Sequence, residues 1–115
     1  MNIAFSIIRS ENPIIISIDG RLDAINADSF ETAIHDYLSQ KTDNLVFDLE
    51  KLAYISSAGI RVFLLLINKL EASKKKIGII NPDEMVKEII EISGLKDYMP
   101  VFANMEEAIV SFKSI

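Results

Sequence analysis

The sequence predicts an α/β fold: one domain whose mixed sheet of four to five strands opens with an antiparallel hairpin and is covered by about four helices. Three observations predict it. Two N-terminal stretches alternate with period two, short buried-strand runs then alternate with helix-length amphipathic segments, and no linker or repeat divides the 115 residues.

Ile3, Phe5 and Ile7 alternate with Ala4 and Ser6, and Ile14, Ile16 and Ile18 alternate with Ile15 and Ser17, which predicts two strands. Ser10-Glu11-Asn12-Pro13 between them is turn chemistry, so the connection is a hairpin. Gly20-Arg21-Leu22-Asp23 marks a bend. Asn26 then stands as a helix N-cap, with Ala27, Phe30, Ala33, Ile34, Tyr37 and Leu38 forming the apolar stripe behind it. Ser39 to Asn44 reads as a polar connection.

Leu45-Val46-Phe47-Asp48-Leu49 is a buried strand carrying one acid, followed by a short polar turn and Ser56-Ser57-Ala58-Gly59 at the head of a helix running to Leu70. That helix is apolar nearly all round, which suits burial between the sheet and a neighbouring helix or a surface that meets a partner. Ile77 to Ile80 is a further strand. Asn81-Pro82 starts a helix with Met85, Val86, Ile89 and Ile90 on its buried face, and Gly94 closes it. Tyr98 to Phe102 is an edge strand limited by Pro100. Asn104 and Glu107 resemble a capping box ahead of a last helix built on Met105, Ala108, Ile109 and Phe112.

Composition excludes several chemistries. A net charge of −5 opposes binding to a phosphate backbone, and Lys74-Lys75-Lys76 reads as a solvated helix end that complements the dipole. The absence of cysteine removes disulfides and thiolate chemistry and fits a cytoplasmic setting. The N-terminal stretch lacks the features of a secretory leader, and the longest apolar run, Val62 to Ile67, is far short of the about 20 residues a membrane span needs. His35, the single histidine, has no second ligand four residues away and reads as a surface residue, so no metal site is expected. Neither a Gly-x-x-x-x-Gly-Lys loop nor a Gly-x-Gly-x-x-Gly turn is present, and no acid pair follows the first strand as a receiver domain requires. The chain is not expected to be an enzyme. Asp48 is expected to hold the amides of the turn that follows it. Ser56 and Ser57 have two possible jobs, capping the helix or accepting a modification.

Across its length the chain resembles the STAS domains, specifically the bacterial anti-sigma factor antagonists. Asp48-Leu49, Tyr54 and Ser57-Ala58-Gly59 fill the family's central motif, Gly20-Arg21-Leu22-Asp23 its upstream turn, and Gly94-Leu95, Pro100-Val101-Phe102 and Glu106-Glu107-Ala108 its tail. The acid that ordinarily precedes the acceptor serine is here Ser56. The resemblance implies one STAS domain over residues 1–115, with Ser57 as phosphoacceptor and Ser56 as the second candidate. It further implies that Asp23, Ser56, Ser57, Gly59 and Ile60 meet a partner. The implied partners are an anti-sigma factor that is itself a serine kinase, which brings the ATP, and a resetting serine phosphatase. A sigma factor is freed as a consequence, and the chain itself is a cytoplasmic monomer or weak homodimer without cofactor, nucleic acid or membrane contact. A constitutive adaptor in a larger complex, and a regulatory domain binding a nucleotide or lipid near Asp23 and Ser57, are the two rival readings.

Overall fold

The computed structural model describes residues 3–113; Met1 and Asn2, which head the stretch read for a leader, lie outside it. The elements run β1 (Ile3–Arg9), β2 (Ile14–Leu22), α1 (Ala27–Leu38), β3 (Leu45–Asp48), β4 (Leu52–Ile55), α2 (Ser57–Ala72), β5 (Ile77–Ile80), α3 (Glu84–Ile92), a single 3-10 turn (Leu95–Asp97), β6 (Val101–Phe102) and α4 (Met105–Lys113). The β1–β2 hairpin is antiparallel, and all other pairings in the six-stranded sheet are parallel. Strand order is β1-β2-β3-β5-β6, with β4 set against the far end of β2.

Two hydrophobic layers hold the sheet. On one face Ile14, Ile16, Ile18, Phe47 and Ile79 pack under α1, α2 and α3, where the Phe47 and Phe63 rings meet edge to face at 5.4 Å. On the other, α4 covers Ile15, Val46 and Ile80 with Ala108 and Phe112. Every residue of β5 is buried because both its faces are covered. Gly78 is where the second layer comes closest: a Cβ there would stand 2.7 Å from the Phe102 ring and 3.2 Å from that of Phe112. The absent side chain is the space those rings fill.

The segment expected to be a polar turn between Leu49 and Ser56 contains β4, so the sheet has six strands rather than four to five. Leu52 and Ile55 are buried there, while Ala53 is exposed and Tyr54 half-buried. Gly20 to Leu22, expected as a bend, is the continuation of β2 that pairs with β4. Gly20 sits at φ 114°, a region glycine enters without steric cost, and the register shifts between Gly20 and Arg21. This irregularity lets one nine-residue strand pair first with β3 and then with β4.

Other differences are smaller. The third helix begins two residues later than Pro82 suggests, because Asp83 caps it through Oδ1 on the Val86 N–H at 2.8 Å. Met85 and Ala33, expected to be inward, are exposed, and the edge strand keeps only Val101–Phe102. Gly94 does take the left-handed conformation (φ 82°) after α3, and Asn104 Oδ1 accepts the Glu107 N–H at 2.8 Å. The Glu107 carboxylate reaches back to the Ala103 N–H at 3.5 Å, one residue before the position expected of a capping box.

Candidate functional site

Parallel strands place their following loops at one end of a sheet, the end where α/β domains gather functional groups. Here β2 and β4 finish side by side. Leu22 pairs with Ile55, and the Ser56 N–H donates to the Leu22 carbonyl at 2.9 Å. The loop after β2 and the start of α2 therefore lie against each other, bringing Asp23 to the same edge as Ser56 and Ser57.

Of the two serines, Ser56 is the one that caps the helix. Ser56 has extended backbone (φ −92°, ψ 177°), and its Oγ accepts the Gly59 N–H at 3.3 Å, so it is the N-cap of α2. Ser57 is the first residue of the helix proper, and its side chain is exposed. Its hydroxyl has no hydrogen-bond partner among the described residues. Along α2, Ser57, Arg61, Leu64 and Asn68 follow at helical spacing and are all exposed. Leu64 and Leu65, at 41% and 44% exposure, leave apolar surface on that stripe, while Val62, Phe63, Leu66, Ile67 and Leu70 are buried.

The loop beside this stripe is held by reciprocal bonds. Asp23 Oδ1 accepts the N–H groups of Ile25 (3.0 Å) and Asn26 (3.2 Å), while the Asp23 N–H donates to Asn26 Oδ1 at 3.0 Å. Asn26 also donates through Nδ2 to the Arg21 carbonyl at 2.8 Å. Asn26 thus occupies the position ahead of α1 without capping it through its side chain. A buried asparagine and a half-buried aspartate tie the loop to the strand it leaves, and Ile25 is lifted to 94% exposure at its tip. Sequence reasoning missed Ile25; an isolated isoleucine between Asp23 and Asn26, off any helical stripe, was the available signal. Arg21 stacks over the Tyr54 ring at 4.5 Å, joining β2 and β4 just behind the site.

Gly59 and Ile60 lie deeper. A Cβ on Gly59 would stand 2.8 Å from both Ile55 Cγ1 and Leu22 Cγ, so this glycine is buried and lets the helix start seat against both strand ends. Its part is in packing, not in the exposed surface. Ile60 is partly buried against the main core. Asp48, at the end of β3, accepts the Glu50 N–H at 3.1 Å and the Asn81 side-chain amide at 3.3 Å, the turn-holding role expected of it.

A salt bridge joins the two helices: Arg61 Nη2, in the second turn of α2, lies 3.7 Å from Asp28 Oδ1, in the first turn of α1. No group of three or more metal-type side chains occurs among the described residues, and no described helix is long and apolar enough to cross a membrane. A cleft lined by Ile67, Glu71, Lys74, Lys75 and Tyr98 lies at the other end of the strands, away from Ser57.

Comparison with known proteins adds to this geometry. A Bordetella bronchiseptica protein named as an anti-sigma factor antagonist, BtrV, is 32% identical over 101 residues, covering 88% of this chain and 87% of its own. The solved structure of the anti-sigma factor antagonist SpoIIAA in its unphosphorylated form superposes with a TM-score of 0.81 at 25% identity, covering 97% of this chain and 98% of that one. The Bacillus cell fate determinant SpoIIAA in its phosphorylated form shares the fold, with a TM-score of 0.70 at 24% identity over 94% and 98% of the two chains. The STAS domain model matches residues 4–108, and the chain belongs to the STAS domain family, among relatives named anti-sigma factor antagonists.

Proposed function

We propose that this chain is a phosphorylation-switched anti-sigma factor antagonist with Ser57 as its acceptor. Unphosphorylated, it binds an anti-sigma factor serine kinase across the surface formed by Ile25, Ser57 and Leu64, and a sigma factor is released. The kinase brings ATP. In the transfer the Ser57 Oγ–P bond forms as the bond from the γ-phosphorus to the β,γ-bridging oxygen breaks, ADP leaves and the hydroxyl proton passes to a base on the kinase. A serine phosphatase returns the hydroxyl by hydrolysis. The chain itself supplies no catalytic group and no cofactor.

One observation carries the reading. Ser56 holds the cap while the adjacent Ser57 hydroxyl is exposed and unengaged, so Ser57 can be modified without removing the bond that starts α2. Relatives named anti-sigma factor antagonists, and a structural neighbour solved in a phosphorylated form, support a phosphorylation switch without naming the residue. A phosphate on the first residue of α2 meets unpaired N–H groups and the positive end of the helix dipole, so the fold tolerates it. It adds about −1.5 to −2 charge in a contact surface whose apolar members are Ile25 and Leu64. A phosphate in such an interface must be desolvated, which weakens docking.

The test is a paired capture from lysate of the native host using Ser57→Ala and Ser57→Asp proteins, with the captured kinase then incubated with wild-type chain and ATP. An ATP-binding kinase held by the alanine bait and lost from the aspartate bait, and phosphate on Ser57 by mass spectrometry, are the expected results. A difference of about 3 kcal/mol in docking corresponds to more than a hundredfold in affinity. Equal capture by both baits, or an active kinase that leaves Ser57 unmodified, overturns the switch in favour of a constitutive adaptor.

A further inference from the structure

We infer that Arg61 is the internal holder of a phosphate on Ser57, and that it leaves Asp28 to take up this role; the inference rests on the acceptor assignment above. Its basis is the ion pair between the two helices rather than the helix end alone. Arg61 stands four residues after Ser57 in α2, on the same exposed stripe. Helical side chains lean toward the N-terminus, so the guanidinium extends toward the turn that carries Ser57. An anion four residues ahead of a cation is the favoured order on a helix, because both charges then also complement the dipole.

The present partner is easily displaced. Arg61 and Asp28 meet at 3.7 Å with side chains 66% and 91% exposed, a single long contact in water. A phosphate presents more charge than a carboxylate and three acceptor oxygens, and the planar guanidinium fork matches it with two parallel bonds. Arg61 is the one cationic residue between Ser57 and Asn68, so no other side chain of that stretch competes for the role. Once Arg61 turns to the phosphate, Asp28 is left without it, and two like charges repel across the first turns of α1 and α2. The modification then does more than add charge: it breaks the Arg61–Asp28 pair between α1 and α2, three residues from Ile25 and from Leu64, on the surface proposed to meet a partner.

The experiment installs phosphoserine at position 57 during synthesis of the full chain, so its result does not depend on any kinase. The titration of the phosphate is followed by 31P NMR in the otherwise unaltered chain and with Arg61→Gln, Asp28→Asn or, as a distant control, Lys113→Gln. Arg61→Gln should raise the midpoint by several tenths of a pH unit toward the unperturbed value of about 6, Asp28→Asn should lower it, and Lys113→Gln should leave it in place. The Arg61 Nε–H resonance should also move on phosphorylation and return when a phosphatase removes the group. All these side chains are exposed, and an unchanged backbone amide spectrum verifies the fold. A midpoint equal in the Arg61→Gln and Lys113→Gln proteins overturns the inference while leaving the acceptor assignment untouched. That assignment stands or falls on the kinase assay instead.

Discussion

At the start of α2 a hydroxyl on Ser56 accepts the Gly59 N–H, while its neighbour's hydroxyl extends into solvent. The two residues are chemically identical, so a pair of alanine variants separates their roles. Ser56→Ala removes the cap and should lower stability by about 1 kcal/mol. Ser57→Ala, at an exposed first-turn position, should change it by less than about 0.5 kcal/mol. Urea unfolding followed by circular dichroism measures both. A larger loss at Ser57 than at Ser56 would mean that the capping assignment is reversed. The serine pair was visible in the sequence as a helix start, but not which hydroxyl was committed. Capping depends on φ and ψ at Ser56, which the Leu22 to Ser56 backbone bond sets from a residue more than thirty positions away.

At the scale of elements, α2 ends in a geometry that suits its last residues poorly. The Lys74 N–H donates to the Glu71 carbonyl at 2.9 Å and the Lys75 N–H to the Leu70 carbonyl at 2.8 Å, with Lys74 in the left-handed region at φ 61°. This is the paired closure that glycine ordinarily occupies. A side chain there costs about 1–2 kcal/mol, and glycine's extra backbone freedom returns part of it to the unfolded state. Lys74→Gly should therefore stabilise the chain by roughly 0.5–1 kcal/mol. A higher urea midpoint at unchanged m-value is the expected reading, and a lower one would contradict the closure. The lysine run was legible as a helix end because charge and breaker position are local signals. β4 was not. Its four residues are too few to show a period, and what makes them a strand is pairing with Gly20, Arg21 and Leu22 after the register shift in β2.

For the molecule as a whole, Asn44 joins pieces that are far apart in the chain. It is fully buried (0% exposure). Its Oδ1 accepts the Lys76 N–H at 2.9 Å, its Nδ2 donates to the Phe112 carbonyl at 3.3 Å, and its own N–H donates to Asn12 Oδ1 at 2.8 Å. The hairpin turn, the entry to β5 and the end of α4 are thus bound through one residue, the last two by its side chain. Asn44→Ala removes the acceptor of the part-buried Lys76 N–H and should cost about 1–2 kcal/mol, with protection of the Lys76 amide lost in hydrogen exchange. Retention of that protection would show that the bond does not matter. In the sequence Asn44 closes a polar connection and looks solvated. Nothing local distinguishes it from Ser39 or Thr42, since its burial comes from α4 folding over the other face of the sheet.

The order of strands and helices apart from β4, the N-terminal hairpin, the helix start at Ser56-Ser57 and the turn-holding role of Asp48 were all determined by the sequence by itself. Each rests on a period, a cap or a turn residue that acts over a few neighbouring positions. The tertiary structure alone decided that β4 exists, that Gly59 is buried beneath Leu22 and Ile55, that Ser56 rather than Ser57 holds the cap, that Ile25 stands exposed after β2, and that Arg61 pairs with Asp28. These depend on which distant segments meet. A hydrogen bond or a buried surface is defined by two partners, and a one-dimensional pattern names only one of them at a time.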